Sequence, residues 1–86
     1  MDYVSRLLTE LLSNVDKYFD RNLVLNSEGR KILGKVIATL MTSEFKDKKL
    51  LKKVRREPTL ENVAKLVEAI LGSEAVKNLQ KLGGAL

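Results

Sequence analysis

The chain has 86 residues, a formal net charge of +5 and a mass of 9.7 kDa, which accommodates one compact domain and leaves no room for a second. Hydrophobic residues make up 44 % and charged residues 31 %, which excludes a disordered chain. The absence of Cys and His excludes a disulfide framework, a thiol nucleophile and the usual zinc sites.

Apolar residues recur with a period near 3.6 along the whole sequence, and strict alternation of apolar and polar residues does not persist. The fold class is therefore predicted to be all-α, a compact single-domain bundle of four to five short helices. The domain is expected to cover residues 1–86, with helices at about 2–20, 27–42, 46–57, 60–71 and 74–82.

The first predicted helix, residues 2–20, has an apolar face that spans about 140° of the helix circumference. This face contains Val4, Leu7, Leu8, Leu11, Leu12, Val15, Tyr18 and Phe19. The connector that follows includes Leu23, Val24 and Leu25, and we expect these three side chains to fill the edge of the core. The alternative is that they form an exposed apolar patch for a partner chain.

The second predicted helix begins at Asn26 or Ser27, since either side chain can cap it. Its apolar arc spans about 240°, which predicts a central helix with neighbours on several sides. Gly34 and Ala38 are expected to allow a close approach of another backbone rather than to form a ligand pocket. Residues 42–44 leave a second possibility open, in which this helix and the next form one longer, kinked helix.

The last three predicted helices are bounded by residues with clear local preferences. Pro58 disfavours helical geometry at the residue before it, so the third helix is expected to end by Glu57. Thr59 is expected to cap the fourth helix, and Gly72 to end it in the left-handed region. Ser73 is expected to cap the fifth helix.

The positive charge of the chain is concentrated in residues 46–56, which we call the basic segment. It contains seven basic residues and one acidic residue, while the rest of the chain holds nine basic and ten acidic residues. In a helix, Leu50, Leu51 and Val54 form a narrow apolar ridge, and the cations share the opposite face. The predicted binding residues are Lys46, Lys48, Lys49, Lys52, Lys53, Arg55 and Arg56.

Four interpretations of this basic face compete. A concentrated field of one sign attracts polyanions, and the contact we favour is with a nucleic-acid backbone. An acidic protein partner and a merely solvated face are the next alternatives. An anionic membrane surface is the weakest, because the apolar ridge contains no Trp or Phe. Without Asn, Gln or aromatic side chains in the segment, contacts with nucleic acid are expected to be nonspecific in sequence.

The sequence favours a binding function over catalysis. Without His or Cys, a reaction would have to depend on Asp, Glu, Lys or Tyr alone, so we expect no enzyme activity, no cofactor and no metal site. We predict an accessory subunit of a larger DNA- or RNA-processing complex, such as a polymerase or repair assembly. The alternative is a protein–protein adaptor, or a homodimeric interaction module, with no nucleic-acid role.

The expected compartment is the cytoplasm. The sequence shows neither a signal peptide nor an apolar run of the roughly 18 residues that a membrane span needs. It contains a single Gln and abundant Lys and Glu, which is a weak indication of a thermophilic source.

Overall fold

A computed structural model of the protein shows a fold built from helices. It describes residues 2–83 and the side chains of residues 3–79. The helices are α1 (Asp2–Ser13), α2 (Val15–Tyr18), α3 (Ser27–Met41), α4 (Lys48–Arg56), α5 (Leu60–Leu71) and α6 (Ser73–Gly83). No strand is formed within residues 2–83, so the predicted all-α fold is confirmed.

The first predicted helix is interrupted at Asn14, so the expectation of one helix over residues 2–20 is wrong. The Asn14 backbone has φ −134° and ψ 55°, outside helical geometry. Its side-chain amide donates to the carbonyl of Glu10 at 3.0 Å, and the Ser13 hydroxyl donates to the carbonyl of Thr9. Such local bonds offer the backbone an alternative to the helix. The break was invisible to periodicity because the apolar spacing continues through it.

The short α2 is fastened to α1 across this break. The Tyr18 hydroxyl donates to a carboxylate oxygen of Glu10 at 2.6 Å. This hydrogen bond raises the pKa of the Tyr18 phenol, since only the protonated phenol can donate it. Phe19 then takes an extended conformation, so the helical structure ends at Tyr18, two residues earlier than predicted.

The connector between α2 and α3 is ordered by backbone pairing, and it closes one edge of the core. Val24 forms an antiparallel bridge with Thr59, which ties the connector to the start of α5. Leu25 is 1 % exposed and plugs the core as predicted. Leu23 does not, since its side chain is 40 % exposed, and its backbone has a positive φ of 60°.

Helix α3 is capped as the sequence indicates, but it is not the central helix. The Asn26 side chain accepts the N–H of Gly29 at 2.9 Å. Leu33, Val36 and Leu40 are buried. Helix α3 contacts α1, α2 and α4, whereas α1 contacts α2, α3, α5 and α6. The prediction of a helix covered from several sides is therefore wrong for the outer face of α3.

Helix α4 is shorter than predicted and is separate from α3. It begins at Lys48, where the Asp47 side chain accepts the N–H of Leu50 at 3.1 Å, and it ends at Arg56. The predicted start at residue 46 is two residues too early, because Asp47 supplies the cap. The possibility of one long kinked helix is also excluded, since residues 42–47 separate α3 from α4.

The boundaries of α5 agree with the sequence. The Thr59 hydroxyl accepts the N–H of Asn62 at 3.1 Å, which confirms the predicted cap. The buried Asn62 side chain donates to the carbonyl of Glu57 at 2.8 Å, so α5 is also joined to the end of α4. Gly72 ends α5 with φ +93°, as a residue without a Cβ can. Ser73 is the first residue of α6 rather than its cap.

The helices within residues 2–83 enclose one core, which is mainly aliphatic and also includes Tyr18 and Phe19. Leu8, Leu11, Leu40, Leu51 and Leu66 are among its fully buried side chains. The radius of gyration is 11.6 Å, close to the value of about 12 Å expected for a compact domain of this length. Of the helices within residues 2–83, none combines the length and the apolar character that crossing a bilayer requires.

Two glycines of α3 give a prediction about packing. A Cβ at Gly29 would lie 2.6 Å from a methyl carbon of Leu25 and 2.7 Å from the carbonyl oxygen of Tyr18, whereas a Cβ at Gly34 would meet no atom within 4 Å. We expect Gly29→Ala to lower the free energy of unfolding by about 1–3 kcal/mol through overpacking. Gly34→Ala should raise it by about 0.5–1 kcal/mol, because alanine loses less chain entropy in a helix.

Urea unfolding of the two variants beside the parent chain measures both effects. A loss of stability in Gly34→Ala would contradict the structure, because it would require an atom of another segment or another copy close to Gly34.

Candidate functional site

The exposed side of α4 carries most of the predicted cations. Leu51 and Val54 are fully buried, and Leu50 packs partly against the core. These three residues fix the rotation of α4 about its axis, so the opposite side faces solvent. The exposed cations on this helix are Lys49, Lys52, Lys53, Arg55 and Arg56. They share a helix of nine residues, which is about 13 Å long.

Lys46 is also exposed, but it lies in the segment before α4. Its carbonyl accepts the N–H of Lys48 at 2.9 Å, so it stays beside the first turn of the helix. We define the basic surface by these six exposed cations: Lys46, Lys49, Lys52, Lys53, Arg55 and Arg56.

Lys48 does not belong to this surface, although the sequence placed it there. Its side chain is half-buried, and its ammonium lies 2.8 Å from the carbonyl oxygen of Leu40 and 3.3 Å from that of Met41. Ser43 supplies a third carbonyl at 3.4 Å. The last carbonyls of a helix lack partners within it and carry partial negative charge. Lys48 therefore caps the C-terminal end of α3.

The cations of the basic surface have no carboxylate partner among the side chains that the structure describes. The ion pairs there join Lys31 to Glu28 at 3.5 Å and Lys65 to Glu61 at 3.4 Å, both outside the basic segment. The acidic residue inside the segment, Asp47, accepts a backbone N–H at the start of α4. The positive charge of this surface is thus not neutralised by its neighbours.

This concentration of charge works against the helix that carries it. Five pairs of cations on α4 are three or four residues apart and are therefore neighbours on the helix surface. These pairs are 49–52, 49–53, 52–55, 52–56 and 53–56. Each like-charge pair costs about 0.2–0.5 kcal/mol, so the five pairs cost roughly 1–2.5 kcal/mol in total. A nine-residue helix is marginal in isolation. Helix α4 therefore depends on the Asp47 cap and on the burial of Leu51 and Val54.

A groove between α3 and the C-terminal end of α4 was not foreseen from the sequence. It has a volume of about 380 Å³. Its lining residues are Arg30, Leu33, Gly34, Ile37, Ala38, Met41, Arg55, Arg56 and Pro58. The wide apolar arc of α3 was the signal that could have revealed it. Within residues 2–83, the helices that contact α3 leave part of its apolar arc uncovered.

A second groove, beside the connector and α5, contains the carboxylates of Glu61 and Glu68. Both glutamates are exposed, and Glu61 is paired with Lys65. Across the described part of the chain, no three Asp or Glu side chains are grouped so that they could hold a metal ion.

Comparison with known proteins adds no function to this geometry. The chain matches no family model, no curated protein and no solved structure.

The different positions of Lys48 and Lys49 give a testable contrast. We expect Lys48→Met to lower the free energy of unfolding by about 1 kcal/mol, because the carbonyls at the end of α3 lose a charged donor. Lys49→Met, which removes the same charge from the exposed side of α4 and with it two like-charge pairs, should instead raise it by about 0.4–1 kcal/mol. Urea unfolding of the two variants measures the difference. Equal effects would place the Lys48 ammonium in solvent with the other cations.

Proposed function

We propose that this protein is a non-enzymatic accessory subunit of a DNA- or RNA-processing complex, and that its basic surface binds the nucleic-acid backbone without sequence preference. The observation that carries the proposal is the set of six exposed cations on and beside α4 that have no acidic partner among the described side chains. Interspersed charges would provide solubility without this mutual repulsion.

The dimensions and chemistry of the basic surface suit a phosphate backbone. Duplex DNA carries one negative charge per about 1.7 Å of its axis when both strands are counted, so a stretch of duplex as long as α4 contains about eight phosphates, and one side of it presents part of them. Four of the six cations are lysines, which act as compact point charges rather than as planar readers of base edges. The basic segment has no aromatic ring on which a base could stack.

The rest of the chain supports a binding role rather than catalysis. The sequence contains no His and no Cys, the residues on which acid–base and thiol chemistry most often depend. A small domain whose main surface feature is unneutralised charge is suited to work attached to a larger assembly. We propose an intracellular location for that assembly, since nucleic acids are processed there.

A protein–protein adaptor without a nucleic-acid role is the second candidate. The groove between α3 and α4 favours it, because Met41 is 47 % exposed beside an apolar floor. The exposed face of α3 also leaves room for a homodimer. Both candidates use the same fold, and a nucleic-acid titration separates them.

The proposed function predicts a steep dependence of duplex DNA affinity on salt. With about three to six phosphates neutralised, the slope of log affinity against log salt concentration should be about −3 to −5 between about 50 and 200 mM NaCl. Fluorescence anisotropy with a labelled duplex measures it. In the triple variant Lys49→Gln, Lys52→Gln, Lys53→Gln the slope should be shallower by about 2–3, because up to three phosphate contacts are lost.

The matched control removes the same charge elsewhere. Lys31, Lys35 and Lys77 are exposed on α3 and α6, and their replacement by Gln should leave the slope close to that of the parent chain. No binding of duplex or single-stranded DNA or RNA at about 50 mM NaCl would reject the nucleic-acid role and leave the adaptor. If the two triple variants lost DNA affinity to the same extent, binding would depend on the net charge of the chain and not on the basic surface.

A further inference from the structure

The groove between α3 and α4 has an apolar floor that is open to solvent. Ile37 and Leu33 form its deeper part, while Gly34, Ala38 and Met41 are exposed. A Cβ at Gly34 would meet no atom of the described residues within 4 Å, so they leave the space above Gly34 open. From Gly34 to Met41 the floor follows α3 for two turns, or about 10 Å. This length matches the apolar stripe of one docked helix, which presents anchors at i, i+3 or i+4, and i+7.

The rim of the groove is cationic. Arg30 stands on α3, and Arg55 and Arg56 stand on the last turn of α4. Among the side chains of residues 3–79, no Asp or Glu lines the groove, and none forms an ion pair with these arginines. The Nε–H of Arg30 donates to the carbonyl of Leu25 at 3.1 Å, which fixes the direction of that side chain. Guanidinium groups bind carboxylates with two parallel hydrogen bonds.

We propose that this groove binds an amphipathic helix of a partner protein, with apolar side chains on the floor and Asp or Glu side chains on the arginine rim. The inference rests on the proposed function as an accessory subunit, and it identifies where the larger assembly holds this one. Charge complementarity selects the occupant, since an apolar floor bounded by three unpaired arginines matches an acidic amphipathic segment.

Two other occupants fit the groove less well. A second copy bound symmetrically through the same groove would bring its own Arg30, Arg55 and Arg56 toward these three, and like charges would oppose each other. Nucleic acid would place phosphates or bases on an aliphatic floor that offers no aromatic ring for stacking. The lysines of the basic surface lie outside the groove and stay available to phosphates.

The test begins with a displayed library of helical peptides that is unbiased in charge, selected against the intact chain. The variant Ala38→Gln serves as the counter-target, because a neutral, longer side chain at this exposed helical position fills the floor without changing the net charge. We expect the enriched peptides to carry apolar residues at helical spacing and a net negative charge. Their affinity, measured by fluorescence anisotropy, should fall at least about tenfold in Ala38→Gln and in Arg55→Gln.

The matched control is Ala69→Gln, an equivalent change at an exposed position of α5, which should leave peptide affinity unchanged. Circular dichroism should show the same helical content in all of these variants. Three results would each overturn the inference. The library could yield no peptide that binds the parent chain more tightly than Ala38→Gln, the enriched peptides could be neutral or basic, or a peptide could bind Ala38→Gln as tightly as the parent chain.

The proposal about the groove and the proposal about the basic surface can be tested separately. The triple variant Lys49→Gln, Lys52→Gln, Lys53→Gln contains no lining residue of the groove, so it should bind the selected peptides as the parent chain does. Ala38→Gln should in turn bind duplex DNA with the affinity of the parent chain. A loss of DNA binding in Ala38→Gln would show that the groove contacts nucleic acid, and it would contradict the proposal that a partner helix binds there.

Discussion

The burial of Leu51 and Val54 is the interaction on which the account of this protein depends. Both side chains are fully buried, and α4 contacts α3 and α5. This packing fixes which side of α4 faces the solvent, and it stabilises a short helix whose own charges oppose its formation. Without it, the basic segment would be an extended charged loop. With it, the cations stand close together on an ordered surface.

Helix α4 has three roles that its sequence alone does not separate. Its first residue, Lys48, completes the hydrogen bonding at the end of α3. Its middle lysines, Lys52 and Lys53, are exposed and carry only the surface charge. Its last arginines also form the rim of the groove with α3. The proposed contacts with nucleic acid and with a partner helix therefore adjoin each other, and they share Arg55 and Arg56.

The features that were predictable from sequence are those decided by local chemistry. Thr59 and Asn26 cap helices because a short polar side chain reaches the free N–H groups of the first turn. Gly72 ends α5 because a positive φ is accessible to glycine. The apolar ridge of α4 was visible because Leu50, Leu51 and Val54 stand close together on a helical projection.

The features that were missed depend on contacts between distant segments. Nothing in the basic segment distinguishes Lys48 from Lys49 until the end of α3 is placed beside it. The break at Asn14 reflects a competition between side-chain and backbone hydrogen bonds that apolar spacing does not record. The exposure of Gly34 and Ala38 depends on how many elements surround α3, which periodicity on one helix cannot count.

Folding gathers unneutralised cations on α4, and their mutual repulsion should make the free energy of unfolding depend on salt. Raising the NaCl concentration from about 10 mM to about 1 M shortens the Debye length from about 30 Å to about 3 Å and screens their repulsion. The free energy of unfolding, measured in urea, should then rise by about 1 kcal/mol more in the parent chain than in the variant Lys49→Gln, Lys52→Gln, Lys53→Gln. Equal salt dependence in the two proteins would show that these lysines do not repel one another, and it would contradict the account.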